Sequence, residues 1–243
     1  MKVVAVASGK GGVGKSTVSL NLARALADSG RSIGLLDADV YGPDIPLMLG
    51  IKRTRELRSW LLGRDSRYGR VVLEPVERLG VKVMSVGFLL AEHQAMTMPG
   101  QLVDLVARQL IEDVAWGDLD YLIVDLPPGT ADLQQQLFVR SRLAGAIVVV
   151  GPQDAAHLDA RRLVTMLREA DVPILGAVEN MSALKCPHCG ERIEVFPPVS
   201  EERSVLREVT LLGEIPLDPA YARLNGVPPE FAAIAERVEH ALA

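Results

Sequence analysis

A glycine-rich loop near the N-terminus carries the clearest chemical signal in the sequence. Residues 8–17, SGKGGVGKST, follow an apolar β-branched run and precede an amphipathic helical pattern. Strand, loop and helix in that order form the context in which G-x-x-x-x-G-K-[ST] cradles phosphates with backbone N–H groups. Lys15 can then reach the β- and γ-phosphates of a nucleotide, and the Ser16 hydroxyl can bind Mg²⁺. The predicted nucleotide contacts are Gly9, Lys10, Gly11, Gly12, Val13, Gly14, Lys15, Ser16 and Thr17.

Lys10 is a second lysine in the same loop. An ammonium so close to Lys15 is repelled by it unless additional negative charge lies nearby. Lys10 therefore either points into solvent or reaches toward the phosphates of a facing subunit.

Carboxylates follow two other apolar runs. Asp125 ends the run at 121–125, where it can hold the hydration shell of Mg²⁺ beside Ser16. Asp37 ends the run at 32–37, and Asp39 follows two residues later. Because side chains alternate along an extended chain, we expect these two to point to opposite sides, one serving the metal and the other a water. Helix capping is the alternative role for one of them.

The only two cysteines, Cys186 and Cys189, form a C-x-x-C motif. This spacing lets two thiolates bind one metal centre, but tetrahedral zinc or a four-iron cluster normally takes four ligands. A homodimer with a shared centre on its two-fold axis would supply four cysteines. The alternatives are a redox-active pair and a structural zinc clip, whereas a simple disulfide is disfavoured in the cytosol.

The elements that must position these groups alternate along most of the chain. We predict a doubly wound α/β fold with a mostly parallel sheet and helices on both faces, forming one domain over residues 1–243. Two segments break the pattern, an arginine-rich excursion at about 52–80 with little regular structure and a cysteine loop at about 183–200. The excursion is either a solvated loop or a local anion patch. Strands are predicted at 3–7, 32–37, 81–86, 121–125, 146–150, 174–178 and 211–215, and helices near 16–29, 100–116, 132–141 and 154–170.

Composition argues against several classes of partner. The net charge of −5 disfavours broad attraction to nucleic acid or anionic lipid, and 4% aromatic residues disfavour a base-stacking platform. No apolar run approaches the roughly 18 residues needed to cross a bilayer. The apolar stripe at 229–242 has an acidic polar face, which favours docking onto the protein's own sheet over membrane binding. We expect a cytoplasmic protein without a signal peptide.

Taken together, these segments resemble the Mrp/ApbC-type iron–sulfur carrier ATPases, a group within the deviant-P-loop class that includes MinD, ParA and the nitrogenase iron protein. The matching segments are GKGGVGKST (9–17), DADVYGPDIPLMLG (37–50), DYLIVDLPPGT (120–130), PQDAAHLDARR (152–162), VENMSALKCPHCGE (178–191) and GEIPLDP (213–219). Two departures are FPPV at 196–199 in place of a glycine-rich stretch, and TMPG at 97–100 in place of the family's R-G-P.

The resemblance implies roles that the residues alone do not establish. It implies that ATP lies between two protomers, with Lys10 acting in trans, Asp39 orienting the attacking water and Asp37 near the magnesium. It also implies that Asn180 reads the adenine edge, with Pro216 and Asp218 flanking the base.

The function implied is a slow homodimeric ATPase that holds a labile [4Fe–4S] cluster on Cys186 and Cys189. It would accept the cluster from donors and pass it to apo-proteins, with zinc as the alternative metal at the same cysteines. The rival functions are a positioning or partitioning ATPase like MinD or ParA, and a zinc-clipped, nucleotide-dependent adaptor.

Overall fold

The computed structural model describes residues 1–39, 42–52, 73–88, 110, 113–129, 142–186 and 188–243. These residues form a nine-stranded sheet in the order β3-β4-β2-β5-β1-β6-β7-β8, with β9 also paired to β7. The strands are β1 (Lys2–Ala7), β2 (Ile33–Asp37), β3 (Val76–Arg78), β4 (Val81–Ser85), β5 (Tyr121–Asp125), β6 (Gly145–Val150), β7 (Ile174–Lys185), β8 (Arg192–Ile193) and β9 (Leu211–Leu217). The helices are α1 (Lys15–Asp28), α2 (Ile45–Met48), α3 (Asp154–Glu169) and α4 (Pro229–Leu242), and short 3₁₀ turns cover Val86–Phe88, Val205–Arg207 and Pro219–Ala222.

The sheet is mostly parallel, as predicted. Strands β1, β2, β4, β5, β6, β7 and β9 pair in parallel, and only the β3–β4 and β7–β8 pairs are antiparallel among the described residues. Every residue of β2, β5 and β6 is buried, which explains their unbroken apolar sequences. In α4, Phe231, Ile234 and Val238 are buried, and the helix packs against α1 and β9. The predicted docking of this apolar stripe on the protein is therefore confirmed.

Three sequence-based boundaries were wrong. The strand predicted at 174–178 continues to Lys185, because β7 goes on pairing with β9 across an irregularity between Asn180 and Leu184. The helix predicted to reach residue 116 does not include residues 113–116, since Val114 forms a bridge with Leu73. The excursion predicted at about 52–80 also has more regular structure than expected at its C-terminal end, where Leu73 forms this bridge and β3 follows.

Other predictions lie outside the described residues. These are the excursion at 53–72, most of the helix at 100–116, and the helix at 132–141. The cysteine loop, in contrast, is described apart from residue 187, and it is a β-hairpin in which Leu184 and Lys185 pair with Ile193 and Arg192. No helix in the described ranges combines the length and apolar character needed to cross a membrane.

Candidate nucleotide site and cysteine hairpin

The glycine-rich loop joins β1 to α1 in a shape that leaves its backbone accessible. Gly12 and Gly14 both have φ of 80°, a left-handed conformation that side chains other than glycine rarely adopt. Gly14 caps α1, because its carbonyl oxygen accepts the Val18 N–H at 3.0 Å. Gly11 and Gly12 are exposed, whereas Lys15 is buried in the first turn of the helix. The predicted order of strand, loop and helix is confirmed.

Two other elements hold the loop in place. A Cβ on Gly9 would lie 2.3 Å from the backbone carbon of Asp159, so α3 packs directly against the start of the loop. From β7, the Asn180 amide Nδ2 donates to the Val13 carbonyl oxygen at 2.8 Å. A Cβ on Gly14 would lie 2.2 Å from that nitrogen. The sequence analysis predicted neither the contact between Gly9 and Asp159 nor the hydrogen bond from Asn180 to Val13. The predicted contact between Asn180 and adenine stays a prediction.

Lys15 and Asp125 form a buried ion pair, with Nζ 2.9 Å from Oδ1 and side chains 6% and 0% exposed. The Ser19 hydroxyl also lies close to both residues, 2.7 Å from Asp125 Oδ1 and 3.0 Å from the Lys15 carbonyl oxygen. Although the ion pair is short, Lys15 Nζ makes no hydrogen bond with good geometry to any described residue, and Asp125 Oδ2, the oxygen outside the pair, has no hydrogen-bond partner among them either. Buried polar atoms in folded proteins are rarely left without a hydrogen-bond partner. A phosphate oxygen and a metal-bound water are partners that fit.

Asp37 lies beside Asp125, because the two carboxylates end neighbouring strands in register. Its Oδ2 accepts from the Ser85 hydroxyl at 2.8 Å and its Oδ1 from the Asp39 N–H at 3.2 Å. Burial, followed by the charge of Asp125, raises the pKa of Asp37 to about 8, against the opposing effects of Ser85, Lys15 and the Asp39 N–H. Two close carboxylates with an uncompensated oxygen suit a divalent cation.

The sequence analysis missed Ser85 and Ser19. Ser85 ends β4 in register with Asp37, so the three neighbouring strands β4, β2 and β5 all finish on a polar residue at one edge. That shared pattern is visible in the sequence and could have indicated Ser85. Ser19 follows Lys15 by one helical turn, which places both on the same side of α1.

The remaining predicted residues are more dispersed. Asp39 is buried, and its Oδ1 accepts the Gly42 N–H at 3.1 Å. The Lys10 side chain is half-buried and has no hydrogen bond or ion pair with any residue in the described ranges. Pro216 lies within β9, and Asp218 caps the following 3₁₀ turn by accepting the Ala220 N–H at 2.8 Å. Ser16 and Thr17 are half-buried in the first turn of α1.

Cys186 and Cys189 occupy the tip of the hairpin formed by β7 and β8. Both are free thiols; Cys186 is half-buried and Cys189 is exposed. The turn is closed by the Gly190 N–H, which donates to the Cys186 carbonyl oxygen at 2.9 Å. The backbone N–H groups of Cys189 and His188 lower the pKa of the Cys186 thiol. In the described part of the chain, no group of three or more His, Cys, Asp or Glu side chains is placed to hold a metal.

One strand connects the loop to the hairpin. Asn180 and Lys185 both belong to β7, and Cys186 follows directly. Along an extended strand, the six residue steps from Asn180 to Cys186 span at most about 20 Å. The nucleotide loop and the thiol pair therefore share a single structural element.

The chain that carries the loop, the strand-end carboxylates and the hairpin matches one known family over almost its whole length. Residues 1–241 match the family model described as ParA, NUBPL iron-transfer P-loop NTPase. This chain belongs to that family. The match agrees with the family resemblance carried by the sequence motifs, and with the P-loop NTPase fold predicted from them.

Two relatives are similar over most of this chain. An iron–sulfur protein required for NADH dehydrogenase in mitochondria of Arabidopsis thaliana is 44% identical over 89% of the chain. An iron–sulfur cluster carrier protein of Deinococcus radiodurans is 45% identical over 89% of it. The matched regions cover 66% and 59% of those two proteins. Among solved structures, a nucleotide-binding protein from Archaeoglobus fulgidus in complex with ADP is 34% identical, with a TM-score of 0.73 over 98% of this chain and 88% of that one.

Proposed function

We propose that this chain is an ATP-dependent iron–sulfur cluster carrier. It binds ATP with Mg²⁺, hydrolyses it slowly, holds a [4Fe–4S] cluster on Cys186 and Cys189, and passes that cluster to apo-proteins in the cytoplasm. The observation that carries the proposal is that the free thiols of Cys186 and Cys189 lie at the end of β7, the strand whose Asn180 hydrogen-bonds to the nucleotide loop. Membership of the NUBPL iron-transfer family and the similarity to cluster carriers support it.

The nucleotide half of the proposal depends on the buried charges. Lys15 Nζ would donate to the β- and γ-phosphates, and the loop N–H groups would surround them. Ser16, Asp37 and Asp125 would hold Mg²⁺, which supplies charge neutralisation at the phosphates. Asp39 would orient the attacking water. A similar nucleotide-binding protein in complex with ADP supports a nucleotide at this loop.

The cluster half depends on a second copy of the chain. Each chain has two cysteines, so a homodimer brings the four thiolates that a [4Fe–4S] cluster takes. An apolar row lies next to the cysteines, because Ile193 and Leu217 flank Leu184 in register on β8 and β9. Ile193 and Leu217 are 43% and 48% exposed, which suits an interface with a second protomer. Lys10, without a partner in its own chain's described residues, would then reach the nucleotide across that dimer.

Anaerobic reconstitution with iron and sulfide tests the proposal. The wild-type chain should gain the visible absorbance of a [4Fe–4S] cluster, with about four irons and four sulfides per dimer. The Cys186→Ser/Cys189→Ser variant should lose the cluster but keep ATP binding, whereas Lys15→Ala should keep the cluster and lose ATP. A full cluster on the double serine variant would contradict the proposal.

The same preparations distinguish the rival functions. One zinc per dimer without iron and without ATPase activity would favour the adaptor. ATP-dependent co-sedimentation with liposomes or DNA would favour a positioning or partitioning ATPase.

A further inference from the structure

A cavity of about 250 Å³ lies beside the cysteine hairpin. Its walls come from the start of α3, from β7 and β9, and from the segment that leaves β8. Among its lining residues, Pro152, His157 and Ser182 are buried and Glu179 is half-buried, whereas Arg192, Glu194, Phe196 and Pro197 are exposed. The cavity therefore has polar side chains in its buried part and a rim that is both charged and apolar. It is separate from the glycine-rich loop, none of whose residues lines it.

Two buried polar atoms in this cavity lack partners. His157 Nδ1 accepts the Val205 N–H at 3.4 Å, so in the neutral ring the proton is on Nε2. His157 Nε2, although the side chain is only 1% exposed, has no hydrogen bond among the described residues, and neither does the buried hydroxyl of Ser182. An unsatisfied buried donor costs about 1–3 kcal/mol. A donor group on a guest could pair with the Ser182 oxygen, whereas the His157 Nε2–H needs an acceptor such as the Glu179 carboxylate, whose Oε1 lies 3.6 Å away.

The cavity has more negative than positive charge. Glu179, Glu194 and Glu214 all line it, and Glu179 and Glu214 are register partners on β7 and β9. The described lining has one guanidinium, that of Arg192, which pairs with Glu214 at 2.7 Å and with Glu194 at 3.1 Å. Among the described side chains, the one ion-pair contact of Glu179 is with His157, whose Nε2 lies 3.6 Å from Oε1, and the Glu179 side chain is 16% exposed. Glu179 is thus a mostly buried carboxylate that lacks a Lys or Arg partner in the described part of the chain.

A metal ion is a poor match for this cavity. The tautomer fixed by the Val205 N–H leaves no lone pair on His157 Nε2, and a metal ligand needs one. The described residues also contain no group of three or more acidic, imidazole or thiol side chains placed to hold a metal.

A cationic side chain with a hydrocarbon stem matches better. Such a side chain lays its stem along apolar surface and puts its charge on a carboxylate. Arginine suits the site best, since its planar head stacks on aromatic rings such as Phe196 and donates twice to one carboxylate. Arg192 already pairs with the neighbouring carboxylates, through Nη2 with Glu214 at 2.7 Å and through Nε with Glu194 at 3.1 Å.

We propose that this cavity binds an arginine side chain of a protein that docks at the cysteine hairpin. The inference rests on the proposed function, because a protein that donates or accepts a cluster must approach Cys186 and Cys189. Glu179 accepts hydrogen bonds from the guanidinium, and its Oε1 lies 3.6 Å from His157 Nε2. The cavity would thus select partners by an arginine placed next to their cluster ligands.

Titration of the ¹⁵N-labelled full chain with N-acetyl-arginine-methylamide tests this assignment. The probe should produce saturable shifts at the amides of His157, Glu179, Ser182 and Phe196. The citrulline analogue, which has nearly the same shape without the charge, should bind at least tenfold more weakly. Equal binding of the two probes, or shifts elsewhere only, would overturn the proposal.

Substitutions of single residues test whether the Glu179 carboxylate binds the guanidinium of the probe. Glu179→Gln should weaken the arginine probe at least tenfold, and Phe196→Ala, at an exposed rim position, should weaken it severalfold. Glu201→Gln is the control, because its side chain is 87% exposed and does not line the cavity. An unchanged affinity in a folded Glu179→Gln chain would overturn the proposal.

Additional experiments identify the source of the bound cation and distinguish a failure of the cavity assignment from a failure of the proposed function. Tighter binding of spermidine than of the arginine probe would overturn the assignment to a protein side chain, as would Zn²⁺-induced shifts at these amides without an arginine response. A wild-type chain that binds the arginine probe but takes up no cluster would contradict the proposed function alone. One that takes up a cluster but ignores the probe would contradict the cavity assignment alone.

Discussion

The Asn180 side-chain amide donates to the Val13 carbonyl oxygen at 2.8 Å, which joins strand β7 to the glycine-rich loop. Asn180 and Val13 are 5% and 4% exposed, so water has little access to replace this bond. The position of the loop therefore depends on a strand that begins far from it in sequence and ends at the cysteine hairpin.

Asn180→Ala should destabilise the chain by about 1–3 kcal/mol, because a buried carbonyl oxygen loses its donor. Urea denaturation of the ligand-free chain measures the loss. Asn225→Ala, at an exposed position, is the matched control and should stay within about 0.5 kcal/mol of wild type. Equal stability of the two variants would show that the Asn180 bond contributes nothing to the fold.

Gly9→Ala should weaken nucleotide binding strongly, whereas Gly11→Ala should be tolerated. A Cβ at Gly9 would lie 2.3 Å from the backbone of α3, which cannot yield without moving the loop or the helix. Among the described residues, a Cβ at Gly11 would meet only the Pro128 ring, at 3.8 Å. Titration with a fluorescent ADP analogue compares the pair. Similar affinities for both variants would mean that α3 does not define the shape of the loop.

Lys15→Ala should damage both nucleotide binding and hydrolysis, whereas Lys10→Ala should spare binding and reduce hydrolysis. The expectation follows from the buried position of Lys15 beside Asp125 and from the absence of a described partner for Lys10 in its own chain. Binding is measured by calorimetry and hydrolysis by phosphate release at several protein concentrations. Negligible effects of Lys10→Ala on both would make it a solvated loop residue.

Asp37 should make the ligand-free chain less stable as the pH rises. Its pKa in the folded chain, about 8, lies above the ordinary value of 3.8, so the folded state holds a proton that the unfolded state releases. The contribution of this group to stability is complete below about pH 4 and is lost as pH rises toward about 8. Thermal unfolding with EDTA at pH 5 and at pH 8.5, for wild type and Asp37→Asn, tests this.

The variant should be relatively more stable at the higher pH, because asparagine does not titrate. A stability difference between the two chains that stays constant across this range would show that Asp37 keeps an ordinary pKa.

Cys186 should be alkylated by iodoacetamide at lower pH than an ordinary thiol. Backbone N–H groups of the hairpin turn lower the pKa of Cys186, and the thiolate is the reactive form. Mass spectrometry of the reduced, cluster-free chain gives the pH midpoint of the reaction. In urea these N–H groups are no longer held toward the sulfur, so the midpoint should rise. The same midpoint with and without urea would contradict a structured turn.

The sequence predicted the fold well because the parallel strands are buried on both faces. Such strands appear as unbroken apolar runs, and the predicted bounds of all but one of the parallel strands agree with the structure to within two residues. The phosphate loop and Asp125 were found for a related reason, since each directly follows or ends such a run.

The failures share a different cause. The apolar run that predicts β7 stops at residue 178, because Glu179, Asn180 and Ser182 are polar. In the structure, Asn180 hydrogen-bonds to the distant glycine-rich loop, and Glu179 and Ser182 line a cavity formed with distant segments. Likewise, the contact between Gly9 and Asp159 joins residues 150 positions apart, and no local pattern encodes it. What the sequence conceals is the packing between elements that are remote along the chain.

Met181 has φ of 59°, in the left-handed region, between Asn180 and Ser182 within β7. In a regular strand, residues three apart point to opposite faces, but Glu179 and Ser182 both line the cavity. The left-handed methionine therefore changes the phase of the alternation at the point where pairing with β9 becomes irregular. Holding a non-glycine residue there costs roughly 1–2 kcal/mol. For that cost, one strand turns Asn180 toward the nucleotide loop while Glu179 before it and Ser182 after it face a single chamber.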